Sequence, residues 1–502
     1  MQVEPAFEAF GAVHARGEPQ LVWTRLVADL ETPVSAFLKI AGSRRNSFLL
    51  ESVEGGAVRG RYSMLGFDPD LIFRAEGARA EIARLPDLSR FEPCRGDALF
   101  ALRTLIADSR IAVPENLPPM AAGVFGYLAY DMVRLMEALP APNPEAVRVP
   151  DAIFIRPLVV AIFDAVKDEL TVVSPVRPEP GIEARAAYDR AVNRLLDVID
   201  ALDRPVDHAS APADMALNGE VVSNTTAAEF KAMVARAKEY IAAGDIFQVV
   251  LSQRFEAPFP LPAFALYRAL RRVNPSPFLY FLDFDDFSIV GSSPEILVRV
   301  REGEVTIRPI AGTRPRGTTP EEDRRLGEEL LADPKERAEH LMLLDLGRND
   351  AGRVSKLGSV RVTDQFFLEH YSHVMHIVSN VVGKLRADCD PLDALAAGFP
   401  AGTVSGAPKV RAMEIIDELE KEKRGPYAGC VGYFSADGAM DTCIVLRTAM
   451  VKDGKVYVQA GAGIVADSDP DSEQQECINK AAAIFRAADE ARRFASQAGR
   501  GQ

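Results

Sequence analysis

The feature that most restricts the fold is the tight turn at Glu302-Gly303, across which the apolar run EILVRV is followed by EVTIRPI. Strands joined so closely pair antiparallel, because a parallel pair needs a crossover of about a dozen residues or more. Similar runs recur in PFLYFLDF, FSIVGSS, HVMHIVSNVV and KVYVQAGAGIV, and their β-branched and aromatic content marks them as strands. Helical stretches fall between these runs without alternating strictly with them. The expected class is α+β: an α/β sandwich of antiparallel sheets covered by helices, rather than a doubly wound fold.

The stretch from Asp203 to Asn224 is poor in large apolar residues and rich in Pro, Ala, Asp and Ser, so it reads as a linker. It separates an N-terminal region (1–202) from a second region (225–490), and 491–502 reads as a tail. Before the linker, Tyr188, Val192, Leu195 and Ile199 have the spacing of an amphipathic helix. After it, Thr226 and Glu229 form a capping box and Gly244 supplies a helix stop. A formal net charge of -14 without any Lys/Arg-rich run argues against nucleic acid as a partner. The N-terminal segment lacks the pattern of a secretion signal and no apolar run reaches membrane-spanning length, so a cytoplasmic protein with no membrane association is expected. Cys94, Cys389, Cys430, Cys443 and Cys477 are scattered and form no CxxC pair, and are expected to be reduced core thiols.

Two carboxylate pairs stand out. Glu336 and Glu339 lie three apart on a helix opened by Pro334, with Leu341 and Leu344 turned inward; Glu473 and Glu476 lie three apart on a helix capped by Asp469 and begun by Pro470. Either pair alone could be a solvated face. Brought together at about 4 Å, the carboxylates would repel by roughly 4 kcal/mol per pair at an effective dielectric near 20. A bound cation would relieve this, and all-oxygen ligands suit Mg²⁺. His340, His370, His373 and His376 tempt a zinc reading, but strand alternation puts His373 and His376 on opposite faces and no HExxH spacing exists. Gly402, Thr403 and Gly406 precede a helix beginning after Pro408, where free N–H groups could receive one carboxylate, with Tyr427, Arg447 and Lys480 near in sequence. These could equally be ordinary turns and surface cations.

Eight segments in order, GDIFQVVLSQR, NPSPFLYFL, GSSPEILVR, RPIAGTRPRG, AEHLMLLDLGRND, VMHIVS, GTVSGAPK and QAGAGIVADS, resemble the chorismate-utilising enzymes, above all anthranilate synthase component I. The resemblance runs from about Thr225 to Ala488, with a weaker match at Leu49–Ser52 and Gly123–Glu137. It implies a sandwich of two antiparallel sheets enclosing the active site. It also implies that Glu339 and Glu476 bind Mg²⁺ directly and that Glu336 and Glu473 act through water or from further out. Chorismate would meet Tyr427, Arg447, Lys480, Thr403, the Gly312-Thr313 turn and the backbone at Gly461, Ala462 and Gly463. Glu295 would be the general acid on the departing C4 hydroxyl, and His376 would serve the loss of pyruvate.

By the same resemblance, 4-amino-forming relatives carry Lys where this chain has Ala311, and water-activating relatives carry Lys where it has Gln248. Ammonia and an anthranilate product are therefore expected. The chain ends without a glutaminase elbow, which implies a separate glutamine amidotransferase subunit and a hetero-oligomer. A tryptophan inhibitor site would use Glu51, Ser52, Pro277, Gly432 and Tyr433, although Phe278-Leu279 stands where relatives often have Tyr-Met. The alternatives are an aminodeoxychorismate synthase component and a tryptophan-binding regulatory homologue.

Overall fold

The computed structural model describes residues 2–42, 44–54, 58–118, 120–206, 220–371 and 374–495. His373, positions 207–219 of the linker and positions 496–502 of the tail lie outside the described residues.

Among the described residues every strand pairing is antiparallel. At the turn, Glu302 and Gly303 both have positive φ, the twist a two-residue hairpin requires. The strands form two runs. One passes from Gln248–Pro258 through Lys455–Ile464, Thr448–Lys452, Phe287–Ser293, Phe278–Asp283 and Ser47–Glu54 to Val58–Glu76. The other passes from Ala152–Asp164 through Gly123–Leu128, Cys430–Ser435, Met440–Ile444, Ile296–Arg301 and Glu304–Ile307 to Val374–Lys384. The long strands Val58–Glu76 and Ala152–Asp164 pair with each other and join the runs, with a register shift between Pro69 and Leu71. Strands from before residue 203 thus pair with strands from after residue 224: Glu51 lies opposite Leu279 and Gly126 opposite Gly432.

Between the runs lies a core containing Phe48, Phe125, Tyr127, Tyr280, Ile289 and Val431. Each such side chain contributes roughly 1.5–3 kcal/mol on burial. The helices Ala227–Ala243, Ala263–Val273 and Pro470–Ala495 pack on the first run and Pro391–Gly398 on the second, while Ala98–Asp108 packs on Val58–Glu76 and Arg79–Arg84, and Ala184–Leu202 packs on Gln20–Val27 and Glu169–Val176, which extend the sheet beyond Ala152–Asp164. Among the described residues no helix is long and apolar enough to cross a membrane.

Local expectations hold at Thr226, whose hydroxyl accepts from the Glu229 N–H, and at Gly244, which ends that helix in the left-handed region. The helix before the linker also holds: Leu195 is buried beside Ala187, Ala191 and Val198, and Tyr188 and Val192 pack half-buried against the same core. Two are corrected. The helix Pro334–Val354 buries His340, Leu343, Leu344 and Gly347, whereas Leu341 is 55% exposed. At 100° per residue the stripe is centred on His340, Leu344 and Gly347, and Leu341 falls off its edge. Finally, Cys94 and Cys389 are only half-buried, while Cys430, Cys443 and Cys477 are buried.

Candidate active site

The catalytic candidates meet where the two runs expose strand ends and bulges. Strand Ile310–Pro315 pairs with Val374–Lys384 in a register that shifts between Ala311 and Thr313. The residue at that bulge, Gly312, has φ +72, a conformation that favours glycine, and a Cβ there would lie 3.1 Å from Glu336 Oε2. The bulge aims the Gly312 carbonyl at His376, whose Nδ1 donates to it at 2.9 Å with the Thr313 hydroxyl at 3.1 Å. Nε2 is thereby left as the basic nitrogen of the ring. Burial pushes His376 down to about 4, so it is neutral at pH 7. Tyr371 packs edge-on against it at 5.4 Å.

Glu295 precedes strand Ile296–Arg301. Burial pushes its carboxyl up to about 7, against the opposing pull of the Thr403 hydroxyl, Arg447 and Lys480. Thr403 sits in the short 3-10 turn Gly402–Val404 and donates its hydroxyl to Glu295 Oε2 at 2.9 Å. A carboxylic acid half protonated near neutrality, beside two cations, is equipped to give a proton to a leaving group.

The neighbouring wall is the end of strand Lys455–Ile464, carrying Gly461, Ala462 and Gly463 opposite Ser252, Leu251 and Val250. Small residues are required here: a Cβ on Gly461 would lie 2.7 Å from the Tyr427 hydroxyl, and one on Gly463 would lie 2.6 Å from Gln248 Nε2. Lys480 donates to the Gly461 carbonyl at 2.8 Å and pairs with Glu476 at 2.7 Å. Arg447 is half-buried in a left-handed backbone conformation, and burial lowers its guanidinium while Glu295 and Tyr371 raise it. Gln248 is buried, and its Oε1 has no hydrogen-bond partner among the described residues.

The four carboxylates come from two helix starts. Asp333 accepts from the N–H groups of Lys335 and Glu336, and Asp469 accepts from the N–H of Ser472, so each helix opens just before its acidic pair. Burial raises the Glu339 carboxyl, and Glu336 and Glu476 raise it further; burial and Glu476 likewise raise Glu473. The two helices therefore do bring their acids within electrostatic reach. Arg314 holds Glu336 at 2.9 Å and Lys480 holds Glu476, and among the described residues no three of the acids close into a ready-made cage. Hard oxygen donors under mutual repulsion fit Mg²⁺, and the exposed Lys480–Glu476 pair, worth about 0.3–0.5 kcal/mol, offers little resistance to rearrangement.

Two further candidate histidines, His340 and His370, lie apart from this chemistry. His340 is buried, donates to or accepts from the Ser379 hydroxyl at 2.6 Å, and burial pushes it down to about 4. His370 lies 4.0 Å from Asp323.

A cavity of about 670 Å³ lies behind this site. Glu51, Ser52, Pro277, Gly432 and Tyr433 all line it, together with Phe278, Pro294, Ile296 and Tyr371. Glu295 stands between two of those residues, so its strand forms a wall shared by cavity and cleft. Glu51 is buried and receives the Arg271 guanidinium at 2.6 and 2.8 Å and the Tyr267 hydroxyl. Sequence reasoning missed Arg271, Tyr267, Tyr371 and Arg314. Only Arg314 had a local signal, being next to Thr313 in RPIAGTRPRG.

Residues 47–486 match the family model described as chorismate binding enzyme. The chain is 58% identical over 498 residues to anthranilate synthase component 1 of Cereibacter sphaeroides, covering 99% of this chain and 100% of that one. It is 48% identical to the same component of Aquifex aeolicus, covering 93% and 94%. Its structure is similar to anthranilate synthase component I from Streptococcus pneumoniae, with a TM-score of 0.74 and 37% identity over 92% of this chain and 99% of that one. The menaquinone-specific isochorismate synthase of Escherichia coli shares the fold at 19% identity, with a TM-score of 0.70 over 96% and 98%. The ordered motifs, the antiparallel architecture and these matches agree: the chain belongs to the chorismate-binding enzymes, in the anthranilate synthase component 1 family.

Proposed function

We propose that the chain is the synthase subunit of an anthranilate synthase, which adds ammonia to chorismate and releases pyruvate, the first step of tryptophan biosynthesis. The observation that carries this reading is Glu295, whose carboxyl stays protonated up to about pH 7 in contact with Thr403. It protonates the C4 hydroxyl as that group leaves as water and ammonia adds at C2; the surplus proton of the added ammonia returns to the carboxylate. Neutral His376 then accepts the C2 proton as the C3–O bond breaks, leaving the aromatic ring and enolpyruvate, whose methylene carbon takes up the proton to give pyruvate and return the histidine to its neutral form. Arg447, Tyr427, Lys480 and the backbone at Gly461–Gly463 orient the substrate carboxylates.

Glu339 and Glu476 would hold Mg²⁺ directly, with Glu336 and Glu473 through water. When bound, the ion neutralises the ring carboxylate of chorismate. Two positions select the nucleophile and product. Ala311 offers no amine for a covalent adduct, and the amide of Gln248 is no base for water. Ammonia then comes from a glutamine amidotransferase subunit, a pairing supported by the name component 1 borne by the relatives. The cavity at Glu51, Ser52, Pro277, Gly432 and Tyr433 would receive tryptophan as inhibitor, with the Glu51 carboxylate facing its ammonium group. The five cysteines are unpaired, in keeping with a cytoplasmic enzyme.

The test uses the purified chain with chorismate and Mg²⁺. Pyruvate should appear with an ammonium salt, and with glutamine only after the amidotransferase subunit is added. Glutamine use by the chain alone would overturn the division of labour.

A further inference from the structure

Directly behind the cleft, and outside every role assigned above, lies the most deeply buried ion pair of the site region. Arg424 and Glu420 have side chains only 1% and 4% exposed. The guanidinium donates from Nε to Glu420 Oε2 at 2.9 Å and from Nη2 to Oε1, so the pair is bidentate. It also donates from Nη1 to the Val404 carbonyl at 2.7 Å and from Nη2 to the Val250 carbonyl at 2.7 Å. Its Cζ lies 4.8 Å from the ring centre of Tyr130 and 5.6 Å from that of Tyr427. Glu420 in turn accepts from the N–H and hydroxyl of Ser252 at 2.8 and 2.9 Å.

Two of these contacts end one step from the chemistry. Val404 follows Thr403, whose hydroxyl rests on Glu295, and Tyr427 presents its hydroxyl beside Gly461. A buried pair of this kind gives little net stability over apolar residues of the same volume. What four directed donors do give is geometry. We propose that Arg424 is a positioning residue for the reaction: by fixing the Val404 carbonyl and the Tyr427 ring it holds the Thr403 hydroxyl on Glu295 and the tyrosine against the substrate pocket. This inference rests on the reading of Glu295 as the general acid.

The experiment follows kcat against pH at saturating free ammonia and Mg²⁺ for the whole chain. The groups facing Glu295 are Thr403, Arg447, Lys480, Tyr371 and Tyr427; of these Thr403, through Val404, and Tyr427, through its ring, are held by Arg424, and only Thr403 makes a hydrogen bond to the carboxyl. That bond favours the ionised carboxylate, so loosening it moves the alkaline limb of kcat to higher pH. Arg424→Lys, which retains the charge but cannot reach all four acceptors, should lower kcat about tenfold or more with a smaller change in KM for chorismate, and should move the limb upward. Thr403→Val should move it the same way, and the double variant no further than Thr403→Val alone.

Arg424→Met/Glu420→Gln, which strands no buried charge, should reproduce the shift if Arg424→Lys is too unstable to assay. An unmoved limb, normal kcat, or additive shifts in the double variant would overturn the proposal. So would failure of every Arg424 variant to fold, which would assign the network to stability alone. Glu295→Gln separates the two levels. If it retains turnover, the general-acid reading has failed; if it is inactive while Arg424→Lys leaves the limb in place, only the positioning role has failed.

Discussion

Replacing Glu295 by Gln should stabilise the protein at alkaline pH while abolishing its activity. An unfolded glutamate ionises near 4.5, whereas burial holds the folded Glu295 carboxyl up to about 7. The folded state therefore binds the extra proton between those values, so the stability Glu295 confers is fully present below about pH 4.5 and is lost as pH rises through about 7. The gap of about 2.5 pH units corresponds to about 3.4 kcal/mol at most. Because the side chain retains some contact with solvent, a fair expectation is about 2–3 kcal/mol between pH 5 and pH 8. Gln keeps the shape, can accept from Thr403 and carries no charge. Its Tm relative to the parent chain should therefore rise by about 2–3 °C on going from pH 5 to pH 8, given an unfolding entropy of about 1 kcal/mol/K for a chain of this length. Differential scanning fluorimetry of both proteins across that range reads the difference, and turnover with chorismate, Mg²⁺ and ammonium should fall by about 10²–10⁴-fold. A Tm difference that does not change with pH, or a Gln variant that turns over normally, would refute the reasoning.

Glu339→Gln and Glu476→Gln should each abolish Mg²⁺-dependent turnover without loss of stability, since either relieves repulsion among the carboxylates; retained Mg²⁺-dependent activity with an intact circular dichroism spectrum would remove the proposed metal site. Ser52→Phe should weaken tryptophan inhibition with little loss of uninhibited rate, because Ser52 lines the cavity and not the cleft; an unchanged inhibition curve would contradict that assignment. Gly312→Ala should cost about 1 kcal/mol of stability from its left-handed backbone, and should slow turnover by displacing both the His376 acceptor and Glu336; wild-type kinetics would show that the bulge geometry is not needed.

The legible parts of this molecule were those encoded over short distances. The turn at Glu302-Gly303 dictated its hairpin, and the capping box at Thr226, the stop at Gly244 and the helix starts at Pro334 and Asp469-Pro470 placed helices on backbone grounds alone. Leu341 was misread because a three-residue spacing fits a stripe until the centre of the stripe is fixed by tertiary contacts. The carboxylate pairs were visible as pairs, but their approach to one another depends on two helices more than a hundred residues apart, and no local pattern encodes that distance. The same holds for Arg271 and Tyr267, which reach Glu51 across 220 and 216 residues, and for Arg424, a lone arginine in KRGPYAG. Ordered motifs of a known family, not periodicity, drew Glu295 and His376 out of the sequence. Burial then explains what each can do: it keeps one carboxyl protonated and one imidazole neutral.

The central claim is that this chain joins ammonia to chorismate and aromatises the product. It is tested most directly by incubating the purified chain with chorismate, Mg²⁺ and ¹⁵N-labelled ammonium and identifying the product by mass spectrometry. Anthranilate carrying one labelled nitrogen is expected, with an equal amount of pyruvate. Isochorismate, salicylate or 4-amino-4-deoxychorismate, or no product at all, would contradict it.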